Sequence, residues 1–100
     1  MKLRSVKNYA GGIAGYAFYC PGCDHDHVFF VTGSMTWEFN GDREAPTFSP
    51  SLRNTAPDHI DPKQRCCHLV LTAGKLHYQS DCTHDLAGQE IDLAEHPRKL

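Results

Sequence analysis

The sequence contains no long apolar run and no strong excess of charge of one sign. Its apolar stretches fall far short of the roughly 20 residues that a membrane-spanning helix needs. The basic start at residues 1–5 lacks the apolar core of a signal peptide. Ten Lys and Arg stand against twelve Asp and Glu, for a net charge of −2. Because no overall basic field is available to attract nucleic acid, we expect neither a nucleic-acid partner nor a membrane partner.

The sequence also lacks an even number of cysteines. Five cysteines cannot all pair in disulfides, so a reducing, cytoplasmic setting with thiolates held by a metal is the better interpretation. The 100 residues are 40 % hydrophobic and 22 % charged, which is ordinary for a globular protein. We expect a single domain over residues 1–100. A domain this short buries a modest core, so a structural metal would add materially to its stability.

The cysteines fall, together with two histidines, into two clusters that are far apart in the sequence. The first is the knuckle Cys20-Pro21-Gly22-Cys23, and the second combines Cys66-Cys67-His68 with Asp81-Cys82-Thr83-His84. In a C-x-x-C knuckle two thiolates converge on one cation, and zinc completes its tetrahedron with two more sulfur or nitrogen ligands. A redox pair would need a helix after the knuckle, whereas β-prone residues follow here. The spacing therefore predicts a structural zinc site.

The hydrophobic pattern predicts a mainly β protein. Residues 16–19 and 28–31 are β-prone runs on either side of the knuckle, and they predict a zinc-knuckle hairpin. Residues 67–72 and 75–80 predict a second β-hairpin around a turn at Ala73-Gly74. The expected fold is a small zinc-stabilised single domain with these two hairpins.

The remaining segments are interpreted from their prolines and turn residues. Residues 36–39 and 90–93 are expected to form short strands, and residues 54–64 predict an exposed loop. Prolines keep residues 46–51 extended, and we expect this segment to pack over the metal region. Its hydroxyl groups lack a surrounding G-x-S-x-G motif, so none is assigned a catalytic role.

Side-chain alternation in the second hairpin separates Cys67 from His68. With a two-residue turn, Cys67 lies opposite Ser80 on the apolar face, where Cys82 can approach it from the partner strand. His68 then points to the other face, toward Asp81, and is only a lesser candidate ligand.

The pattern predicts three metal ligands and leaves the fourth open. Cys20, Cys23 and Cys67 supply three thiolates. Either Cys82 or His84 could complete the site at ordinary zinc distances.

Short motifs follow one another in a fixed order along residues 16–93: the knuckle, W-x-F-N-G-D, PTFSPS, C-H and D-C-T-H-x-L-A-G-Q. They resemble a family of small uncharacterised proteins found largely in bacteriophages and prophages. Members share cysteines like Cys20 and Cys23, and they retain the histidine of His84 where the position of Cys82 is often serine. The resemblance therefore implies His84 as the fourth ligand. Some relatives carry an ammonia-monooxygenase label, which no feature of this sequence supports.

Two classes of function remain at the level of the sequence. A zinc site closed by four protein ligands has no position for substrate, which favours a non-catalytic module that binds a host or phage protein. The alternative is a small zinc-dependent hydrolase or nuclease, with His68 as general base and Asp81 as its orienting carboxylate. A nucleic-acid-binding zinc ribbon is a third interpretation, weakened by the net charge. We expect the non-catalytic accessory module, in the cytoplasm of a bacterial host cell, and the sequence leaves a homo-oligomer open.

Overall fold

The computed structural model describes residues 2–57 and 64–96, and it is built from antiparallel β-strands. The strands of the described residues are β1 (Arg4–Lys7), β2 (Ile13–Cys20), β3 (His25–Phe30), β4 (Glu38–Phe39), β5 (Phe48–Ser49), β6 (Leu52–Pro57), β7 (Gln64–Thr72), β8 (Lys75–Tyr78) and β9 (Glu90–Asp92). Strands β1, β2 and β3 form one sheet in that order, and β4 pairs with β5. Strands β6 to β9 form a second large sheet in sequential order. The mainly β fold predicted from the sequence is confirmed.

One hydrophobic core receives side chains from all three sheets. Phe48 of β5 lies between Phe29 of β3 and Phe39 of β4, with ring centroids 4.2 and 4.6 Å away and nearly parallel planes. Leu69 and Leu71 of β7 are fully buried in the same cluster. Burying a large apolar side chain contributes about 1.5–3 kcal/mol. The core therefore holds the knuckle hairpin and the four-stranded sheet together. This fixes the position of Cys20 and Cys23 relative to the cysteines of β7.

Both predicted hairpins are present. Strands β2 and β3 flank the knuckle, and Cys20 lies opposite His25 in their register. Strands β7 and β8 are joined at Ala73-Gly74, where φ is 50° and 77°. Two consecutive positive φ angles are what a two-residue hairpin turn needs to match the twist of its strands.

The expected exposed loop over residues 54–64 was wrong at both of its ends. Residues 54–57 belong to β6 and pair with β7, with Asn54 opposite Cys67, and β7 already begins at Gln64. An outer strand of an antiparallel sheet can carry polar side chains on its solvent face, which hides it from a hydrophobicity pattern. Residues 58–63 of the predicted loop lie outside the described residues.

Strand β8 is shorter than predicted, which changes the path of the chain toward the second cysteine cluster. The expected pairing of Cys67 with Ser80 does not occur, because β8 ends at Tyr78. The N–H of Gln79 donates to the carbonyl of His68 (2.8 Å), and the chain then enters a series of turns.

Two short segments also differ from the expectation. The predicted strand over residues 36–39 is reduced to β4, and β1 was not expected at all.

In the part of the chain that the structure describes, no helix has the length and apolar character that crossing a membrane requires.

Candidate functional site

The knuckle at the end of β2 brings two thiols to one side of a tight turn. The carbonyl of Cys20 accepts hydrogen bonds from the backbone N–H groups of Cys23 (3.2 Å) and Asp24 (2.8 Å). Asp24 has a φ of 57°, a left-handed conformation that closes the turn and lets β3 begin at His25.

The four-stranded sheet supplies two more donors to the same point. Cys67 lies on β7 and is 3 % exposed, and His84 lies in the turns that follow β8. The ligand atoms of Cys20, Cys23, Cys67 and His84 all lie within 4.8 Å of one another. The Sγ atoms of Cys20 and Cys67 are 3.9 Å apart, and Sγ of Cys67 is 3.4 Å from Nε2 of His84. A tetrahedral metal with ordinary zinc–ligand bond lengths would give separations of about 3.8 Å for two sulfurs and about 3.5 Å for sulfur and nitrogen.

The ring of His84 is oriented by three neighbours. The N–H of Leu86 donates to its Nδ1 (3.2 Å), and the ring meets that of Tyr78 edge-on, with centroids 4.7 Å apart. On the other side the ring packs against the knuckle, where a Cβ at Gly22 would lie only 2.5 Å from it. Gly22 is therefore required for the histidine to approach the two knuckle thiols.

The three thiols favour a single negative charge among them. Hydrogen bonding by Cys67 lowers the pKa of Cys20 to about 3, and the same interaction raises the pKa of Cys67. Burial raises the pKa of Cys23 to about 11. A divalent cation would stabilise all three as thiolates, because metal ligation requires the deprotonated sulfur.

Polar groups surround the sulfur of Cys20. The hydroxyl of Tyr78 is 3.0 Å from it, and burial raises the pKa of this tyrosine, which keeps the hydroxyl protonated. His27 is 3 % exposed, its Nδ1 accepts a hydrogen bond from Nδ2 of Asn54 (2.6 Å), and its Nε2 is buried without a hydrogen-bond partner among the described residues. The nearby His27 also helps to lower the pKa of Cys20. Donors of this kind typically orient and stabilise metal-bound thiolates, so the surroundings fit a metal ion as well as the ligand spacing does.

The structure brings together the four residues that sequence analysis named as ligands: Cys20, Cys23, Cys67 and His84. Cys82, the chief alternative for the fourth position, lies outside this group. Its thiol instead contacts the backbone of His68, at 3.2 Å from the amide nitrogen and 3.1 Å from the carbonyl oxygen. Burial raises the pKa of Cys82, which keeps this thiol protonated.

A second arrangement of polar side chains lies on the other face of β7. The predicted contact between His68 and Asp81 is confirmed, since Nδ1 of His68 lies 3.2 Å from both carboxylate oxygens. On its other side, Nε2 of His68 is 3.2 Å from Oγ of Ser51. Serine, histidine and aspartate are thus connected in series through the two nitrogens of one imidazole, which is the defining geometry of a catalytic triad.

The fold holds each member of this array from a different element. Ser51 directly precedes β6, and its carbonyl accepts a hydrogen bond from Nε1 of Trp37 (3.3 Å). On β6, Arg53 pairs in register with His68, and its Nε lies 3.8 Å from Asp81. The side chains of His68 and Asp81 are 27 % and 47 % exposed, so the array is open to solvent on one side.

Sequence reasoning identified two members of the array and missed Ser51. The segment over residues 46–51 was expected to pack over the metal region, but Ser51 contacts His68, which points away from Cys67. A hydroxyl-rich segment in a chain that also carries a predicted His–Asp pair was the available signal. The absence of a G-x-S-x-G motif does not exclude Ser51 as a nucleophile, because that motif belongs to one particular hydrolase fold and triads recur on unrelated folds in different chain orders.

Comparison with known proteins identifies one family. The model of a family described as "BubE: Bacterial ubiquitination-like system serine protease" matches residues 2–79 of the chain. The matched range contains Ser51 and His68 and ends before Asp81. Searches of curated proteins and of solved structures found no match. Since the matched range is most of the 100 residues, the chain belongs to the BubE family of bacterial ubiquitination-like system serine proteases.

Proposed function

We propose that this protein is a serine peptidase with Ser51 as nucleophile, His68 as general base and Asp81 as orienting carboxylate. The observation that carries the proposal is the continuous contact of the three side chains, with 3.2 Å on each side of the imidazole. A surface His–Asp pair alone would be unremarkable in chemical terms, but a serine hydroxyl on the remaining ring nitrogen gives it a nucleophile to activate.

The geometry assigns a direction to each proton transfer. The Nδ1–H of His68 donates to Asp81, which leaves Nε2 free to accept the proton of the Ser51 hydroxyl. As Oγ attacks the carbonyl carbon of the scissile peptide bond, the proton moves to Nε2, and Asp81 stabilises the imidazolium that forms. When the carbon–nitrogen bond breaks, Nε2 returns this proton to the leaving amine.

Hydrolysis of the resulting ester completes the cycle. A water molecule gives a proton to Nε2 of His68 and adds its oxygen to the acyl carbon, and the proton then passes to Oγ as the ester bond to Ser51 breaks. The net reaction consumes one water and releases one amine and one carboxylic acid. The solvent-open side of the array, where Asp81 is 47 % exposed, is also where water is available.

We propose further that the metal is zinc and that its role is structural. Three cysteines and one histidine are a ligand set typical of closed zinc sites. When bound, zinc supplies a fixed cross-link between the knuckle and the four-stranded sheet. With four protein ligands no coordination position remains for substrate or water, so the hydrolytic chemistry belongs to Ser51 and its partners.

The family description suggests the class of substrate. Because BubE proteins are described as proteases of a bacterial ubiquitination-like system, we propose that this chain cleaves a peptide bond in a protein component of such a system. The bond would have to reach the exposed side of the array at Ser51.

A fluorophosphonate probe tests the catalytic assignment directly, because it phosphonylates serines that an adjacent histidine activates. We expect the zinc-loaded protein to be labelled at Ser51, and Ser51→Ala to lose the label entirely. Ser49→Ala is the matched control, since Ser49 is an exposed residue in the same segment and should leave labelling unchanged. An unlabelled wild-type protein that carries its full zinc content would contradict the proposal.

The non-catalytic interaction module expected from the sequence is the alternative. What favours it is the closed Cys3His group, which needs no substrate to explain it. In that case the partner would be a host or phage protein, and a bacteriophage or prophage context would fit. The same labelling experiment separates the two functions, since a pure interaction module would leave Ser51 as unreactive as Ser49.

A further inference from the structure

The chain between β8 and β9 runs along β7 without being a strand of the sheet. After β8 ends at Tyr78, the N–H of Gln79 donates to the carbonyl of His68 (2.8 Å), and regular pairing then stops. Backbone groups of β7 beyond this point would be left without partners on this side unless side chains replaced the missing strand.

Two consecutive side chains make that replacement. The thiol of Cys82 accepts a hydrogen bond from the N–H of His68 (3.2 Å) and donates one to its carbonyl (3.1 Å). The hydroxyl of Thr83 does the same for Cys66, accepting from the N–H (3.0 Å) and donating to the carbonyl (3.2 Å). The N–H of Thr83 adds a further bond to that carbonyl (2.9 Å). Cys82 and Thr83 thus attach the loop to β7 at two alternate residues.

The attachment of Cys82 and Thr83 to β7 positions the residues on either side of them, Asp81 and His84. Asp81 precedes Cys82 and contacts the ring of His68, while His84 follows Thr83 and lies 3.4 Å from Cys67. Cys82 is bonded through its thiol to the backbone of His68 and is the residue next to Asp81 in the chain. It therefore connects the proposed base to the proposed orienting carboxylate. Because the side chain of Asp81 is 47 % exposed, burial does little to hold it in place.

We propose that Cys82 is a positioning residue of the triad, whose thiol holds the backbone of His68 at a fixed separation from Asp81. The inference rests on the proposed peptidase function and adds to it a residue that touches neither substrate nor metal. A hydroxyl can donate and accept in the same place, whereas a methyl group can do neither. Serine at position 82 should therefore preserve the arrangement, and alanine should release it.

The test compares Cys82→Ala with Cys82→Ser in zinc-loaded protein, using the rate of reaction of Ser51 with a fluorophosphonate probe. We expect Cys82→Ala to lower the maximal rate of labelling on the order of 10-fold to 100-fold, as small displacements of catalytic groups do. The probe concentration at half-maximal rate should not change, because the probe's binding surface is intact. Cys82→Ser should stay near the wild-type rate, and both variants should retain one zinc per chain.

Cys66→Ala is the matched control. It removes the thiol of another cysteine outside the four-residue metal group, on β7 itself, and it leaves the hydrogen bonds between Thr83 and the Cys66 backbone in place. We expect its labelling rate and zinc content to equal those of the wild type.

Each of the other outcomes overturns the inference in a recognisable way. A Cys82→Ala variant that reacts as fast as the wild type would show that the thiol does not position the triad. Loss of zinc in both Cys82 variants would identify Cys82 as a metal ligand instead. A wild-type protein that is not labelled at Ser51 would refute the peptidase itself, and with it any role of Cys82 in the reaction.

Discussion

At the scale of single residues, Gly22 shows how tightly the candidate metal site is packed. A Cβ at this position would lie 2.5 to 2.6 Å from three atoms of the His84 ring. The ring cannot retreat freely, because Tyr78 packs against it with centroids 4.7 Å apart. Gly22 is therefore as much a part of the site as the four candidate ligands are.

We expect Gly22→Ala to weaken zinc binding about 5-fold to 150-fold, since overpacking a closed site costs about 1–3 kcal/mol. Competition with a chromophoric chelator measures the affinity. Gly12→Ala is the control, because a Cβ there would meet the side chain of Asn8 at no less than 3.4 Å. Equal zinc affinity in the two variants would mean that His84 does not need the close approach.

Residue identities predicted the metal group better than they predicted the triad. Two cysteines with C-x-x-C spacing are rare in a sequence and are a specific signal for metal binding. Cys20 and Cys23 could therefore be assigned as ligands from local spacing alone. Ser51 has no local signature. Its meaning comes from a contact with His68, 17 residues away, and that contact exists only because β6 pairs with β7.

At the scale of elements, β7 serves both sites through the alternation of its side chains. Cys67 points into the core toward the knuckle, and His68 points to the opposite face toward Ser51. The Cys3His group and the Ser51–His68–Asp81 array are thus separated by the thickness of one strand. A change in register by one residue would exchange the two faces and destroy both arrays.

The vicinal cysteines on β7 give a sharp test of this alternation. We expect Cys67→Ser to lose stoichiometric zinc and its cooperative thermal unfolding, because a structural ligand contributes directly to folding free energy. Cys66→Ser, one position away, should keep its zinc and unfold within a few degrees of the wild type. Elemental analysis and thermal unfolding followed by circular dichroism measure the two quantities. Zinc loss in the Cys66 variant would show that the register of β7 had been assigned wrongly.

The elements themselves were predictable where a turn residue or an apolar alternation marked them. The turn at Ala73-Gly74 and the register of Leu71 opposite Leu76 followed from such signals. Strand β6 did not, because Arg53 and Asn54 are exposed and polar, and only pairing with β7 makes them a strand. The end of β8 at Tyr78 also depends on tertiary contacts, since Cys82 bonds to the backbone of β7 where a longer β8 would have paired with it.

At the scale of the whole molecule, the metal group joins parts of the chain that the strand pairings leave separate. The knuckle belongs to the sheet of β1 to β3, whereas Cys67 and His84 belong to the four-stranded sheet and the turns after β8. Asp26 of β3 makes a second connection, because its carboxylate accepts a hydrogen bond from His96 (2.9 Å), which follows β9. The same carboxylate also accepts a hydrogen bond from Arg4 (3.2 Å) of its own sheet. Burial opposes the charge of Asp26, but these two partners outweigh it and lower its pKa.

Removing the metal should therefore unfold the whole domain and not only the segments next to the metal group. Structural zinc contributes about 10–16 kcal/mol in small zinc domains, which is comparable to the roughly 5–15 kcal/mol by which a domain is stable. We expect dialysis against a chelator to abolish the cooperative thermal transition and the labelling of Ser51 together. One equivalent of zinc should restore both. Circular dichroism and fluorophosphonate labelling on the same samples measure the two effects.

Asp81→Asn separates the structural contribution of the metal from the chemistry of the triad. Its zinc-dependent unfolding should match that of the wild type, because Asp81 lies outside the metal group. Its labelling rate should fall on the order of 10⁴-fold, since an amide cannot hold the imidazole in the required tautomer.

A metal-free protein that still unfolds cooperatively at the wild-type midpoint would contradict the structural role of zinc. If that protein also remained reactive at Ser51, the triad would have to be held by the hydrophobic core and the contacts of Cys82 alone.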